Sequence, residues 1–194
     1  MNKTLVIFDL EATCWEDRKF STPEIIEIGA VRIERNTGTL VEEFDIFVKP
    51  RLNPTLSQYC IDLTSIRQED VDLGYDFVPA MFQFNNWLNK YNDEYIMSWG
   101  YYDKNQILRE STDKNDDSSS MIELETKLMD RHLNMKNQFA HMYNVRRCGL
   151  AKALNILKLN FEGTHHRGID DSINMGRIYK KIGNTFLDKI YSID

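Results

Sequence analysis

The N-terminal segment constrains the fold more than any other part of the chain. Residues 4–10 read TLVIFDL, a nearly continuous apolar run, and such runs are typical of strands that are buried on both faces. A strand of this kind needs other elements packed above and below it, so the run predicts a layered α/β domain. The run passes directly into acidic residues and lacks a small-residue cleavage site, which favours a strand over a secretory signal peptide.

Two further strands are predicted directly after the first. Residues 24–34, EIIEIGAVRIE, are rich in β-branched and apolar side chains, and residues 40–49, LVEEFDIFVK, alternate loosely between apolar and polar. The sequence Asn36-Thr37-Gly38 between them is typical of a turn. Three strands in close succession predict an antiparallel meander at the start of a mixed central sheet.

The rest of the chain favours helices that flank this sheet, with further strands between them. The segment YIMSW at 95–99 is typical of a short buried strand, and a helix is expected from Lys104. The polar segment 111–120, STDKNDDSSS, predicts a flexible insertion at the surface. A helix is predicted around four apolar residues at helical spacing: Phe77, Met81, Phe84 and Leu88. Further helices are predicted near 121–130, 137–143, 149–157 and 171–182, with a short strand around His132–Met135.

Length, charge and cysteine content narrow the class of protein. The chain has 194 residues, which suits one compact domain over 1–194. A net charge of −6 argues against a non-specific nucleic-acid coat protein, which would need a basic face, but does not exclude an enzyme with clustered carboxylates. No apolar run approaches the roughly 20 residues that span a bilayer. Three widely separated cysteines suit reduced thiols in a cytoplasmic protein.

Two acidic residues stand side by side at the end of the first predicted strand. Residues i and i+2 of a strand project from the same face, so Asp9 and Glu11 continue the face that carries Leu5 and Ile7. Two carboxylates at this position are unfavourable unless they are paired, protonated or bound to cations. The alternative is that the strand simply ends there and both acids are solvated.

Two later segments carry residues of the same chemical type. Asp103 follows the short strand YIMSWG, where it is either a site residue or the cap of the next helix. In HHRGIDD, His166 and Asp171 are separated by Gly168, which we expect to make a sharp turn before the last helix. We interpret Asp170 as the helix cap and Asp171 as the site residue. The alternative for His166 is an ordinary surface histidine.

These segments together supply four carboxylates and one imidazole. Four acids can hold two hard cations such as Mg²⁺ or Mn²⁺, and a histidine can accept a proton from an attacking water near neutral pH. The combination is typical of two-metal hydrolysis of phosphodiester bonds. Basic residues also collect late in the chain, and Arg167, which adjoins His166, is the candidate among them for a phosphate contact.

Glu27 is a further acidic residue, in the second predicted strand. It shares a strand face with Ile25 and Gly29, so we expect it to be partly buried. It either supports the site from behind the ligands or is a structural acid satisfied by a neighbour.

The three site segments resemble the motifs of the DEDDh family of 3′-to-5′ exonucleases, a branch of the ribonuclease H-like superfamily. FDLEATCWE is similar to the first motif, SWGYYDKNQ to the second and HHRGIDD to the third, in matching order and spacing. The flanking stretches EIIEIGAV, LSQYCIDLTSIRQEDVD and CGLAKALNIL match as well, and the resemblance covers nearly the whole chain except the polar insertion. ATCWE, YCxxLT and HHRGIDD resemble most closely the Eri-1-like and KapD-type branch.

The resemblance implies a ribonuclease H-like fold and a set of residue roles. His166 would be the general base. Four carboxylates would ligate two Mg²⁺ or Mn²⁺ ions: Asp9, Glu11, Asp103 and Asp171. The backbone of two residues and the side chains of two others would contact the 3′-terminal nucleotide: Ala12 and Thr13, then Cys60 and Leu63.

The implied activity is a two-metal-ion 3′-to-5′ exonuclease that acts on single-stranded RNA or short oligonucleotides and releases 5′ mononucleotides. Two alternatives stay open, a DNA exonuclease of the same superfamily and a non-catalytic regulatory module on this fold. Every acid of the signature is present, which favours an enzyme, and RNA is favoured over DNA as the partner. The sequence predicts no membrane partner and makes no prediction of the oligomeric state.

Overall fold

One five-stranded sheet forms the centre of the molecule. The computed structural model describes residues 3–17, 22–114, 117–183 and 185–188. The strands are Thr4–Ala12 (β1), Ile25–Glu34 (β2), Leu40–Phe47 (β3), Ile96–Ser98 (β4) and His132–Asn134 (β5). Their spatial order is β3-β2-β1-β4-β5, so the apolar N-terminal strand is the central one.

The sheet is mixed, as the sequence predicts. β1 pairs antiparallel with β2, and β2 pairs antiparallel with β3, which makes the predicted meander. β4 lies parallel to β1, and β5 lies parallel to β4. The meander turns at Gly38, whose φ of 64° lies in the left-handed region that favours glycine. The prediction of a meander followed by parallel strands is therefore confirmed.

Helices surround the sheet and agree with most of the sequence-based expectations. The helices of the described residues are Gln58–Thr64 (α1), Gln68–Asp72 (α2), Phe77–Leu88 (α3), Tyr102–Asp113 (α4), Ser119–Arg131 (α5), Met135–Met142 (α6), Leu150–Ile156 (α7), Gly168–Ile182 (α8) and Thr185–Asp188 (α9). The sequence does not predict α1, α2 or α9, because each spans seven residues or fewer and is too short for a clear helical repeat. Within the described ranges, no helix has both the length and the apolar character that crossing a membrane requires.

The two faces of β1 are buried by different helices. Val6, Phe8 and Leu10 share a core cluster with side chains of α3, α4 and α5. Leu5 and Ile7, on the other face, share a cluster with side chains of α8. Because Asp9 and Glu11 continue the face of Leu5 and Ile7, the two acids lie on the side of the sheet that α8 covers.

The polar segment 111–120 differs from the loop that its composition predicts. α4 continues to Asp113, and α5 begins at Ser119, where Ser118 Oγ accepts a hydrogen bond from the Met121 amide at 3.3 Å. Asn115 and Asp116 lie outside the described residues. The end of α4 is held to the sheet because the Glu110 carboxylate accepts a hydrogen bond from the Ile25 amide at 2.6 Å. Tertiary contacts of this kind stabilise helix in a segment whose polar composition suggests a loop.

Candidate active site

Asp9 and Glu11 lie near the carboxyl end of the central strand. Asp9 is opposite Gly29 and Glu11 is opposite Glu27 in the pairing of β1 with β2. Glu11 is buried at 9% exposure, so it is not the solvated strand end that the alternative interpretation proposes. Both acids are therefore held on the rigid centre of the sheet.

Asp103 reaches the same region from the neighbouring parallel strand. It lies in the first turn of α4, directly after β4, and is 5% exposed. Its Oδ1 accepts a hydrogen bond from the Leu10 amide at 3.3 Å, between the two acids of β1. α4 begins at Tyr102, with Tyr101 as its cap, so Asp103 does not cap the helix. Parallel strands end at the same edge of a sheet, which is why Asp103 meets Asp9 and Glu11.

The start of α8 packs directly on β1 and β2. A Cβ atom at Gly29 would overlap the backbone of Gly168 and Ile169, and a Cβ at Gly168 would lie 3.0 Å from the Asp9 carbonyl oxygen. Ser172 Oγ donates a hydrogen bond to the Gly29 carbonyl at 2.9 Å. The two glycines thus allow a helix and a sheet to approach at backbone distance, and this contact brings Asp171 to the acids of β1.

The turn before α8 is made differently from the sequence-based expectation. The left-handed residue is His166, with a φ of 59°, and Gly168 is required for close packing instead. A non-glycine residue in this region is uncommon and clusters at functional sites. Asp170 is not the helix cap, because α8 begins at Gly168 with Arg167 as its cap. The Asp170 carboxylate accepts a hydrogen bond from the Thr164 amide at 2.8 Å and so holds the loop before the turn.

The acidic groups crowd together enough to change one another's ionisation. Candidate ligand atoms of Glu11, His166 and Asp171 lie within 4.8 Å of one another. Burial, followed by the charges of Asp171 and Glu27, raises the pKa of Glu11 to about 9. Burial and the charge of Asp103 raise the pKa of Asp9 well above its usual range. Burial raises the pKa of Asp103 to about 6 and that of Asp171 to about 7.

This donor set fits divalent cations of the Mg²⁺ or Mn²⁺ type. Carboxylate oxygens are the ligands that such hard ions prefer. Glu11 and Asp103 are buried, Asp9 and Asp171 are half-buried, and carboxyl groups that repel one another in this way are stabilised when a cation joins them. The residues present therefore fit the ions that the sequence predicts.

His166 stands beside these acids in a form that can accept a proton. Partial burial and the neighbouring His165 lower the pKa of His166 below its usual value, so its imidazole is neutral at neutral pH. A ring nitrogen of His166 and a carboxylate oxygen of Asp171 lie within 4.8 Å of each other. The imidazole and the Asp171 carboxylate are thus positioned by one short loop.

A cavity of about 410 Å³ opens next to Glu11. Three of the residues predicted to contact the terminal nucleotide line it: Ala12, Thr13 and Leu63. It is also lined by aromatic side chains that the sequence analysis does not identify: Trp15, Tyr59 and Tyr102. The sequence does contain a clue to these three residues, because they lie in or beside the motifs ATCWE, YCxxLT and SWGYYDKNQ. An aromatic residue in a motif is, however, more often part of a hydrophobic core than of a binding site.

Two predicted substrate contacts have other partners in the structure. Cys60 is completely buried in a core cluster with Ile26 and Leu56 and does not line the cavity, so it is not available to a base. The Arg167 guanidinium pairs with Glu27 at 3.1 Å and lies over the Phe47 ring at 5.3 Å. The Arg167 guanidinium is therefore engaged within the protein. Sequence spacing does not indicate that Cys60 packs against Ile26 or that Arg167 pairs with Glu27, because each contact joins distant segments of the chain.

A mixed sheet in this strand order, with four carboxylates converging beside the end of its central strand, defines the ribonuclease H-like class of nuclease folds. A family model described as Exonuclease, RNase_T, matches residues 6–179. The chain belongs to this exonuclease family.

Individual relatives agree with the family assignment. The ERI1 exoribonuclease 2 of Xenopus laevis is 32% identical over 92% of this chain, which spans 28% of that protein. The 3′-5′ exonuclease Snipper of Drosophila melanogaster is 31% identical over 92% of this chain, which spans 68% of that protein. The predicted similarity to the Eri-1-like branch is confirmed. The chain spans less than a third of the length of the first of these relatives.

A solved structure shows the same fold. The crystallographic structure of the nuclease domain of 3′hExo, a DEDDh family member, bound to rAMP, superposes with a TM-score of 0.72 at 26% sequence identity. The match covers 93% of this chain and 92% of that one. The prediction of a ribonuclease H-like fold is confirmed.

Proposed function

We propose that this protein is a metal-dependent 3′-to-5′ exonuclease that removes 5′ mononucleotides from single-stranded RNA or short oligonucleotides. The observation that carries the proposal is the cluster of Glu11, His166 and Asp171, with the charges of Asp9 and Asp103 close to it, beside a cavity of about 410 Å³. Membership of the exonuclease family and the names of the relatives support it.

Asp9, Glu11, Asp103 and Asp171 would hold two Mg²⁺ or Mn²⁺ ions. When bound, these ions supply neutralisation of the phosphate charge and a lowered pKa for water. The assignment is supported by the packed elements that carry these side chains, namely β1 and the starts of α4 and α8, because such elements leave ligands little freedom of movement.

His166 would accept the proton of the attacking water. A general base must be unprotonated before it can accept a proton, and the lowered pKa of His166 favours its unprotonated imidazole. The left-handed backbone at His166 fixes where the imidazole leaves the loop.

The cavity beside Glu11 would hold the 3′-terminal nucleotide. Trp15, Tyr59 and Tyr102 offer aromatic surfaces on which a base can stack without sequence preference. RNA is the substrate we favour, because relatives with this sequence pattern are named exoribonucleases and one related domain was solved with rAMP. The cytoplasm is the compartment we propose, since three separated thiols suit a reducing environment.

Digestion of matched oligonucleotides tests the proposal. RNA and DNA of equal sequence, labelled at the 5′ end, are incubated with the purified protein and Mg²⁺ or Mn²⁺. We expect a ladder that shortens from the 3′ end of RNA, that chelator abolishes and that Asp9→Asn lacks. Faster cleavage of DNA would favour the DNA exonuclease, and intact strands of both kinds would contradict the proposed activity.

A further inference from the structure

A buried carboxylate that the proposed mechanism does not use lies directly behind the site. Glu27 is fully buried on β2, opposite Glu11 in the strand pairing. Its Oε2 accepts a hydrogen bond from the Gly168 amide at 2.9 Å. An ionised carboxylate at such a position is unfavourable unless it is paired and hydrogen-bonded, so the partners of Glu27 determine whether it is tolerated.

Arg167 is the charged partner of Glu27. Its Nε donates to both carboxylate oxygens, at 3.1 and 3.2 Å, and its Nη2 lies 3.1 Å from Oε1. The guanidinium also lies over the Phe47 ring and 3.8 Å from an Asp45 oxygen. Bidentate pairing of this kind fixes both distance and direction. Glu27 therefore holds two consecutive residues, Arg167 and Gly168, against β2.

These two residues stand between His166 and Asp171. His166 immediately precedes Arg167 and has the left-handed backbone, and Asp171 lies in the first turn of the helix that Gly168 begins. A buried ion pair is a weak source of stability, because apolar residues of similar volume often serve as well. The directional contacts of this ion pair are better explained by a role in positioning His166 and Asp171, the residues on either side of Arg167 and Gly168.

We propose that Glu27 and Arg167 are a positioning pair, which anchors the start of α8 to β2 and thereby places His166 and Asp171 beside Glu11. The proposal rests on the proposed exonuclease function, because it assigns the pair to that site. Neither residue touches the reacting atoms, and their effect is transmitted through the backbone of residues 166–171.

The chain provides a matched control on the same helix. Arg177 pairs with Glu162 at 2.7 Å and donates to the Asn160 carbonyl at 2.7 Å. The exposed fractions of the two arginine side chains are nearly equal, 24% for Arg167 and 23% for Arg177. Arg177 lies farther along α8 than Asp171 and holds the helix to the loop that precedes it. Its replacement therefore measures the general effect of weakening the contacts of α8.

The experiment compares Arg167→Met with Arg177→Met in the full chain. Methionine keeps most of the aliphatic stem and removes the charged fork. We measure Tm, Mn²⁺ affinity by calorimetry without nucleic acid, and kcat and KM on a labelled single strand. For Arg167→Met we expect Mn²⁺ affinity and kcat to fall about 10-fold to 100-fold, with KM within about threefold. For Arg177→Met we expect Mn²⁺ affinity and kcat to stay within about twofold of the unaltered protein, even if its Tm falls as much as that of Arg167→Met.

Glu27→Gln provides a second route if Arg167→Met folds poorly. The amide oxygen can still accept the Gly168 hydrogen bond, but the charge that orients Arg167 is gone. If the pair acts as one unit, Glu27→Gln combined with Arg167→Met loses no more kcat than the worse single variant.

Several outcomes would overturn the positioning role. One is an equal loss of Mn²⁺ affinity and kcat in Arg167→Met and Arg177→Met at equal Tm, and another is no loss in Arg167→Met and Glu27→Gln. If the unaltered protein binds Mn²⁺ but cleaves no strand, the exonuclease function fails while the Mn²⁺ comparison still decides the role of the pair. If it neither binds Mn²⁺ nor cleaves, both proposals fall.

Discussion

At the scale of single residues, two adjacent histidines have different surroundings. The His165 ring stacks on Phe161, with ring centroids 3.7 Å apart. His166 instead offers a ring nitrogen close to the carboxylates of Glu11 and Asp171. The difference arises at the left-handed backbone of His166, which directs the two side chains to separate neighbours.

Replacement of each histidine by glutamine should separate their roles. His166→Gln removes the proposed proton acceptor, so kcat should fall about 10²-fold to 10⁴-fold with little change in KM. His165→Gln is the control and should keep kcat within about threefold. Steady-state cleavage of a labelled single strand measures both. Equal losses in the two variants would rule out a specific role for His166.

Glu11 illustrates how a residue proposed as a metal ligand can weaken the fold that carries it. Its pKa of about 9 reflects burial and the nearby charges of Asp171, Glu27 and Asp103. Glu11→Gln should therefore raise the Tm of the metal-free protein near pH 8, by roughly 2–8 °C for a gain of about 1–2 kcal/mol. The same variant should lose the rise in Tm that Mn²⁺ gives.

Glu16→Gln is the control for this comparison, because Glu16 is exposed near the end of the same segment. Its Tm should equal that of the unaltered protein with and without Mn²⁺. A Glu11→Gln protein that is less stable than the unaltered one without metal would contradict the repulsion between these carboxylates.

At the scale of elements, the junction of α8 with β1 and β2 decides whether the site assembles. The junction depends on two glycines, Gly29 and Gly168, and on the Ser172 hydrogen bond to the Gly29 carbonyl. The central strand and the start of α4 bring together Asp9, Glu11 and Asp103. Asp171 and His166 join them only because α8 begins at backbone distance from the sheet.

Gly29→Ala should disrupt this junction. The added methyl group would overlap the backbone of Gly168 and Ile169, so α8 must shift. We expect a loss of about 1–3 kcal/mol or more in unfolding free energy, with lower Mn²⁺ affinity measured by calorimetry. Gly149→Ala is the control, since no atom of the described residues lies within 4 Å of its Cβ position. A Gly29→Ala protein with unchanged Tm and Mn²⁺ affinity would contradict the close packing.

At the scale of the whole molecule, the crowded carboxylates couple stability to pH. The folded-state pKa values are about 6 for Asp103, 7 for Asp171 and 9 for Glu11, whereas the ordinary values are 3.8 for Asp and 4.5 for Glu. Between about pH 4 and pH 9 these three carboxyl groups therefore bind more protons in the folded protein than in the unfolded chain, and their contribution to the unfolding free energy falls as the pH rises. Burial lowers the pKa of His132 from 6.5 to about 4, which opposes this effect only between about pH 4 and pH 6.5.

The metal-free protein should accordingly melt at a lower temperature near pH 8.5 than near pH 5.5, by roughly 5–10 °C. Mn²⁺ binds the deprotonated carboxylates, so the rise in Tm that it gives should be larger at the higher pH. Differential scanning calorimetry in chelator and in Mn²⁺ measures both effects. Glu11→Gln should make the Tm of the metal-free protein depend less on pH. If Tm changes with pH as much in this variant as in the unaltered protein, the pH dependence arises from other groups.

Much of the fold and of the site could be predicted because its signals are local. The two-face burial of β1 follows from its continuous apolar run, the side-by-side placement of Asp9 and Glu11 from the period of two along a strand, and the meander from three strands in close succession. The short helices α1, α2 and α9 and the helical parts of 111–120 could not, because caps and contacts with distant residues stabilise them.

The sequence by itself determined the central strand, the five chemical groups of the site and their order along the chain. The tertiary structure alone decided that Cys60 is core, that Arg167 pairs with Glu27, and that Gly168 serves packing while His166 makes the turn. The physical reason is distance along the chain. Glu27 and Arg167 are 140 residues apart, and a pattern of neighbouring residues reports which face a side chain occupies but not which distant partner it meets.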